Sequence, residues 1–243
     1  MVKLPRPDAI LLDLDNTVYA YAPCHATGLL SAQALAAELR PEWQDFETFK
    51  QDYSAARTDV KSRIAATGAA HCRLLYFKVM TEGKWGATRP SEARRLHEAY
   101  WAGYTAAMRR DDGCLELLTR WRDAGIRTAW VSDFTTERQM LKLEALGLIE
   151  AVEFLITAEE VGGVKPDPSG IDLAVARLGV AENARVWFVG DDIVRDLRAA
   201  HSRGLTAILF ERGEELHKGE DAYPPHARVR SWATLAELWE GAE

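Results

Sequence analysis

Asp13 and Asp15 stand two residues apart at the end of the apolar run Ala9-Ile10-Leu11-Leu12, and Asn16 and Thr17 follow directly. In an extended chain residues two apart project to the same side, so both carboxylates converge on one point beyond the carboxyl end of a buried strand. Like charges at that spacing repel, and a cation is the usual remedy. The Thr17 hydroxyl and the main-chain amides of the turning loop then offer donors to an anion. Taken alone, the segment also reads as a strand ending in an Asp-Asn turn.

Chemistry at that point needs a scaffold. From residue 112 onward short apolar runs alternate with helical segments, the pattern of a parallel sheet flanked by helices. Strands are expected at Thr128–Val131, Phe154–Thr157, Val186–Val189 and Thr206–Phe210. Helices are expected through Leu115, Leu118 and Trp121, over Thr136–Leu146, over Ser169–Leu178, over Val194–Arg203, and at the end over Thr234–Trp239. Gly125, Gly147 and Gly179 close three of them, as glycine does at helix ends. The Lys165-Pro166-Asp167-Pro168 segment stays extended because the residue before a proline is barred from the helical region. Gly213 to Pro225 is polar and reads as a mobile loop.

Between Val18 and Arg110 the alternation disappears. Leu29, Ala32, Leu35, Ala36 and Leu39 recur at helical spacing, as do Leu96, Tyr100 and Tyr104, with breaks near Pro41, Gly68 and Pro90. The expected organisation is a doubly wound, Rossmann-like α/β core made of residues 1–17 and 111–243, with an all-helical domain of residues 18–110 inserted after the first strand so that it overhangs Asp13.

The chain has 243 residues, of which 47% are hydrophobic and 28% charged, the balance of a globular protein able to bury a sizeable core. Its net charge of -7 and lack of a basic run argue against a nucleic-acid partner. Cys24, Cys72 and Cys114 are an odd number without zinc-like spacing, as in a reducing compartment. No leader or membrane-length apolar run is visible, so a cytoplasmic location and no membrane partner are expected.

In open parallel sheets ligands gather beyond the carboxyl ends of the strands. Here one strand end carries Asp13 and Asp15, another Ser132 and Asp133, a third Asp191 and Asp192, and a loop between them offers Lys165. Each alone has an ordinary explanation, a helix cap for Ser132 and a solvated surface residue for Lys165. Their co-occurrence does not.

The combination Asp13-Leu14-Asp15-Asn16-Thr17, Ser132, Lys165 and Gly190-Asp191-Asp192 with Asp196 resembles the haloacid dehalogenase superfamily, whose four motifs it matches in order along the whole chain. The helical insert resembles that family's cap, placed between the first two motifs. The resemblance implies Asp13 as nucleophile and Asp15 as general acid and base. It implies a magnesium ion held by Asp13, the main-chain carbonyl of Asp15 and Asp191, with Asp192 or Asp196 supporting from behind. Ser132, the amides from Asp133 onward, Thr17 and Lys165 would receive the phosphoryl group. Attack by a carboxylate on phosphorus splits hydrolysis into two displacements through an aspartyl-phosphate, and a second acid protonates the leaving oxygen, then activates water.

Dehalogenating enzymes similar to this chain lack an acid at the position of Asp15, since a halide leaves without a proton. Asp15 therefore points to a magnesium-dependent phosphatase of a small phosphorylated metabolite, such as a nucleotide, a sugar phosphate or phosphoglycolate. The alternatives are a phosphomutase of the same superfamily and an inactive binding or regulatory protein.

In the insert, Tyr19 and Tyr21 stand near the expected entrance, and Arg57, Lys61, Arg63, His71 and Arg73 supply cations, although each also reads as packing or as a solvated face. Trp43, Phe46, Phe49 and Tyr53 read as core of the insert. Cys24 and His25 lack partners at metal-binding spacing, and Gly83-Lys84 lacks the preceding glycine of a nucleotide-binding loop.

Overall fold

A computed structural model describes residues 3–213 and 222–243. The first strand, β1, spans Ala9–Leu12 and is buried at all four positions, as continuous apolar runs are when helices cover both faces of a parallel sheet. The chain then runs through α1 (Tyr21–Leu39), α2 (Phe46–Ile64), α3 (Arg73–Trp85) and α4 (Pro90–Ala107). The breaks fall at the expected residues. Pro41 and Gly68 open short 3-10 turns, and Pro90 is the first residue of α4, where a fixed φ and a missing N–H are tolerated.

The rest of the chain alternates: α5 (Cys114–Asp123), β2 (Arg127–Ser132), α6 (Thr136–Ala145), β3 (Phe154–Thr157), α7 (Ala158–Val161), α8 (Ser169–Leu178), β4 (Val186–Gly190), a π-helical turn over Ile193–Leu197, α9 (Arg198–His201), β5 (Thr206–Phe210), β6 (Ala227–Val229) and α10 (Trp232–Glu240). Two of these depart from the sequence pattern. The stretch expected as one helix from Val194 is a π turn followed by a four-residue helix: the Asp192 carbonyl accepts from Leu197 N–H, five residues on, as well as from Asp196 N–H, while the Asp192 carboxylate caps the turn at Val194 and Arg195 N–H. Strand β6 has three residues, too few for a period-two signal. Of the loop read between Gly213 and Pro225, residues 214–221 lie outside the described residues.

Among the described residues, the strands form one parallel sheet in the order β3-β2-β1-β4-β5-β6. The direction of winding reverses beside β1, and such a reversal opens a crevice at the carboxyl ends of the two central strands. Register sets what meets there. Leu12 lies opposite both Trp130 and Val189, so the residues next in line are Asp13, the end of β2 and the end of β4. Leu11, Val131, Phe188 and Leu209 pack with Ile171 and Leu178 of α8 and with Leu197 in one buried cluster.

The described residues within 1–20 and 109–243 make one compact unit, and Tyr21–Met108 make a second. In the helical unit α1 and α4 approach closely through two glycines: a Cβ on Gly28 would lie 2.9 Å from the Tyr100 ring, and one on Gly103 only 2.1 Å from Ser31 Oγ. Trp43, Phe49 and Tyr53 are buried there, and Phe46 is half-buried. No helix among the described residues is long and apolar enough to cross a membrane.

Candidate active site

Lys165 ties three strand ends together. Its Nζ lies 2.5 Å from Asp13 Oδ1, 2.7 Å from Asp196 Oδ1 and 3.0 Å from the Val131 carbonyl, and its main-chain N–H donates to Asp133 Oδ1 at 2.8 Å. Burial alone would favour the neutral amine, but Asp13, Asp196 and Asp133 hold the ammonium charged and lift Lys165 above the usual lysine range. The surface reading of this lysine is thereby excluded: it is 5% exposed.

Asp13, Asp191 and Asp196 each offer a carboxylate oxygen, all within 4.8 Å of one another. Burial, with the like charges of Asp196, Asp191 and Asp15, pushes Asp13 well above the usual carboxylate range despite Lys165. Burial and Asp196 push Asp191 up to about 6. A cluster so short of positive charge fits a hard divalent cation, since all its donors are carboxylate oxygens. Asn16 completes the rim. It adopts φ of 66°, a left-handed conformation that Asn tolerates better than most residues, and its side-chain amide donates to Asp191 Oδ2 at 2.8 Å.

The two acids left open by the sequence have different surroundings. Asp196 is 1% exposed, pairs with Lys165 and accepts the Asp192 N–H at 3.0 Å. Its carboxylate reaches that place because residue 190 is glycine: a Cβ there would lie 2.4 Å from Asp196 Oδ2. Asp192 instead caps the π turn and pairs with Arg195 at 2.9 Å. Arg195 also reaches Asp133 Oδ2 at 3.0 Å. The Asp133 carboxylate is thus shared between Lys165 and Arg195, which leaves its main-chain amide as the group it can offer an anion. Thr17, expected to receive an anion, donates its hydroxyl to Asp13 Oδ2 at 3.3 Å and is fully buried. Arg212, just beyond β5, donates to the main-chain carbonyls of Asn16 and Thr17 and pairs with Asp111, fixing the loop that carries both.

Asp15 is held by three residues, two of which, Gln139 and Lys142, the sequence pattern did not single out. Lys142 Nζ lies 2.6 Å from Asp15 Oδ1, Gln139 Nε2 lies 2.8 Å from Oδ2, and the Tyr19 hydroxyl also donates to Oδ1. Burial would raise this carboxyl, but the charge of Lys142 and the three donors outweigh it and bring Asp15 down to about 2. Tyr19, expected near the entrance, is therefore fully buried behind Asp15. Gln139 and Lys142 left a trace in the sequence. On α6 the polar Gln139 and Lys142 are fully buried, whereas the apolar Met140 and Leu141 are 50% and 39% exposed. An inverted amphipathic pattern of this kind marks polar groups with a buried task.

Within the helical unit Arg73 is buried, donating to the Tyr21 hydroxyl and the His71 carbonyl at 2.8 Å each. His25 Nδ1 lies 2.8 Å from the Tyr100 hydroxyl. Arg63 pairs with Asp59 on the surface at 2.6 Å, and Arg57 is exposed. Cys24, Cys72 and Cys114 are free thiols.

Comparisons with known proteins identify the family. The sequence pattern of the haloacid dehalogenase-like hydrolases matches residues 7–204. A ribulose-1,5-bisphosphate 5-phosphatase of Halopiger xanaduensis is 38% identical over 214 residues, covering 88% of this chain and 89% of its own. A glyceraldehyde 3-phosphate phosphatase of Methanopyrus kandleri is 23% identical, covering 85% of this chain and 84% of its own. Among solved structures, a 2-haloacid dehalogenase from Pseudomonas syringae superposes with a TM-score of 0.70 at 19% identity, covering 99% of both chains, and shares the fold. The chain belongs to the haloacid dehalogenase-like hydrolases and is an enzyme of that family.

Proposed function

We propose that the protein is a magnesium-dependent phosphatase that hydrolyses a small phosphorylated metabolite through an aspartyl-phosphate on Asp13. The observation that carries this is the division of labour between the two acids after β1: Asp13 faces Lys165 and the acidic cluster, while Asp15 is held separately by Lys142, Gln139 and Tyr19. A dehalogenase has no use for the second acid; departure of an alkoxide requires it.

Asp13, Asp191 and the carbonyl of Asp15 are the expected metal ligands, with Asp196 supporting. The ion, when bound, offsets charge on the carboxylates and the phosphoryl oxygens. Lys165 orients Asp13 and neutralises charge on the transferring group. Ser132 and the amides that follow it receive phosphoryl oxygens. Asp15, held as a carboxylate by its three donors in the resting site, takes a proton from the attacking water, and in its protonated form gives one to the leaving oxygen. A sugar phosphate is the substrate class to test first, because the relative sharing 38% identity over most of this chain is named for a sugar bisphosphate.

Phosphate release across a panel of sugar phosphates, nucleotides and phosphoglycolate, with magnesium and with chelator, tests the reading. Turnover that requires magnesium and vanishes in Asp13→Asn is expected. Turnover that persists in Asp13→Asn would remove the nucleophile and the reading with it.

A further inference from the structure

Lys142 is the most unusual group in this unit outside the motifs. Its side chain has no exposure, its Nζ lies 3.6 Å from the centre of the Phe134 ring, and it pairs with Asp15 at 2.6 Å. A lysine on a surface helix keeps its charge in water at no cost, whereas burying an ammonium costs several kcal/mol unless a partner is placed for it. Gln139, one turn earlier on the same face of α6, divides its two amide protons between Asp15 Oδ2 and Ser132 Oγ. The flipped amide would turn its oxygen toward the carboxylate, so this orientation is the one that pairs both amide protons; Gln139 Oε1 is left buried with no hydrogen-bond partner among the described residues.

The donors are unequally distributed over Asp15. Oδ1 accepts from both Lys142 and Tyr19, and among the described residues Oδ2 accepts from Gln139 alone. A carboxylate oxygen has about two lone-pair sites, which leaves Oδ2 as the oxygen with a site to spare. Resting on the phosphatase reading, we propose that Lys142 and Gln139 are positioning residues for the second half of the reaction, holding the Asp15 carboxylate so that Oδ2 takes the proton of the water that hydrolyses the Asp13 phosphate. In that step the water oxygen bonds to phosphorus, and the bond from phosphorus to Asp13 breaks with its electron pair returning to the Asp13 carboxylate. The proton lost by water moves to Asp15 Oδ2, where it serves the next leaving group.

The test is rapid-mixing kinetics of Lys142→Met and Gln139→Leu with p-nitrophenyl phosphate and magnesium. Nitrophenolate leaves without protonation, so formation of the phosphoenzyme does not depend on Asp15. A burst of about one nitrophenolate per active site, phosphoenzyme that accumulates on acid quench, and a steady state about 100-fold slower than the wild type are expected, the size of effect that follows a misplaced reacting group. Gln139→Glu, which keeps the length of the side chain and loses the donor toward Asp15, gives the same burst. Equal slowing of both half-reactions with no accumulation, in variants whose circular dichroism matches the wild type, overturns the proposal. If that happens while Asp13→Asn is inactive, the phosphatase reading stands and only the role of α6 falls; an active Asp13→Asn removes both.

Discussion

Lys165 and Asp196 form an ion pair at 2.7 Å in which both side chains are almost wholly buried. Removing one partner of such a pair strands the other charge in a low-dielectric setting, at a cost of about 3–5 kcal/mol. In Asp196→Ala the ammonium keeps Asp13 at 2.5 Å, so the unfolding free energy is expected to fall by no more than the lower end of that range, about 3 kcal/mol. Asp192→Ala removes a cap from the π turn and a partially exposed pair with Arg195, and costs about 1 kcal/mol. Urea unfolding of both variants ranks the two acids, and a larger loss in Asp192→Ala contradicts the order.

The acidic cluster predicts a stabilising response to magnesium. A ligand bound to the folded state alone at 100 times its dissociation constant adds about 2.7 kcal/mol. The melting temperature of the wild type should therefore climb with magnesium concentration, while that of Asp191→Asn should not. Asn16→Ala loses the amide that donates to Asp191 Oδ2 and should shift the response to higher magnesium. Identical titration curves for wild type and Asp191→Asn speak against this cluster as the binding site.

Gly190→Ala tests the approach of Asp196 to the end of β4. The added methyl would lie 2.4 Å from Asp196 Oδ2 and 2.6 Å from its Cγ, so the carboxylate must leave Lys165 or the strand must shift. Forced repacking of a tight interior costs about 1–3 kcal/mol. Loss of both stability and phosphate release is expected. A variant with unchanged unfolding and activity shows that the turn accommodates a side chain.

In the helical unit, burial and the charges of Arg73 and Arg57 bring His25 down to about 4. Between the ordinary value near 6.5 and 4 the unfolded chain binds more protons at this site than the folded one. Stability from His25 is thus complete above pH 6.5 and is lost as the pH falls toward 4. Melting temperatures measured from pH 7.5 to 4.5 should fall more steeply for the wild type than for His25→Gln. Parallel curves count against a neutral, partly buried His25.

Much of the fold was legible because its signals are local. The apolar runs at β1, β3 and β5 are continuous, the closing glycines sit where helices end, and prolines open the turns and α4 of the helical unit. The candidate motifs could be picked out for the same reason, three being short patterns at the carboxyl ends of recognisable strands and the fourth, Lys165, opening a proline-marked loop. The π turn was not, since a main-chain carbonyl shared by the N–H groups four and five residues on leaves no mark in the side-chain pattern. Nor was the choice between Asp192 and Asp196, because four residues of spacing says nothing about which side chain turns inward.

By itself the sequence determined which groups exist, their order along the chain, and a sheet whose loops would bring Asp13, Ser132, Lys165 and Asp191 to one edge. The tertiary structure decided their partners. Lys142 follows Asp15 by 127 residues, and their meeting depends on β2 pairing beside β1 and on the face that α6 presents to it. Gly190 owes its importance to a carboxylate six residues later in the chain, and Asn16 to an acid on another strand. Hydrogen bonds and ion pairs act over about 3 Å, a distance that sequence separation does not encode, so the electrostatic role of each residue is settled only when the sheet is assembled.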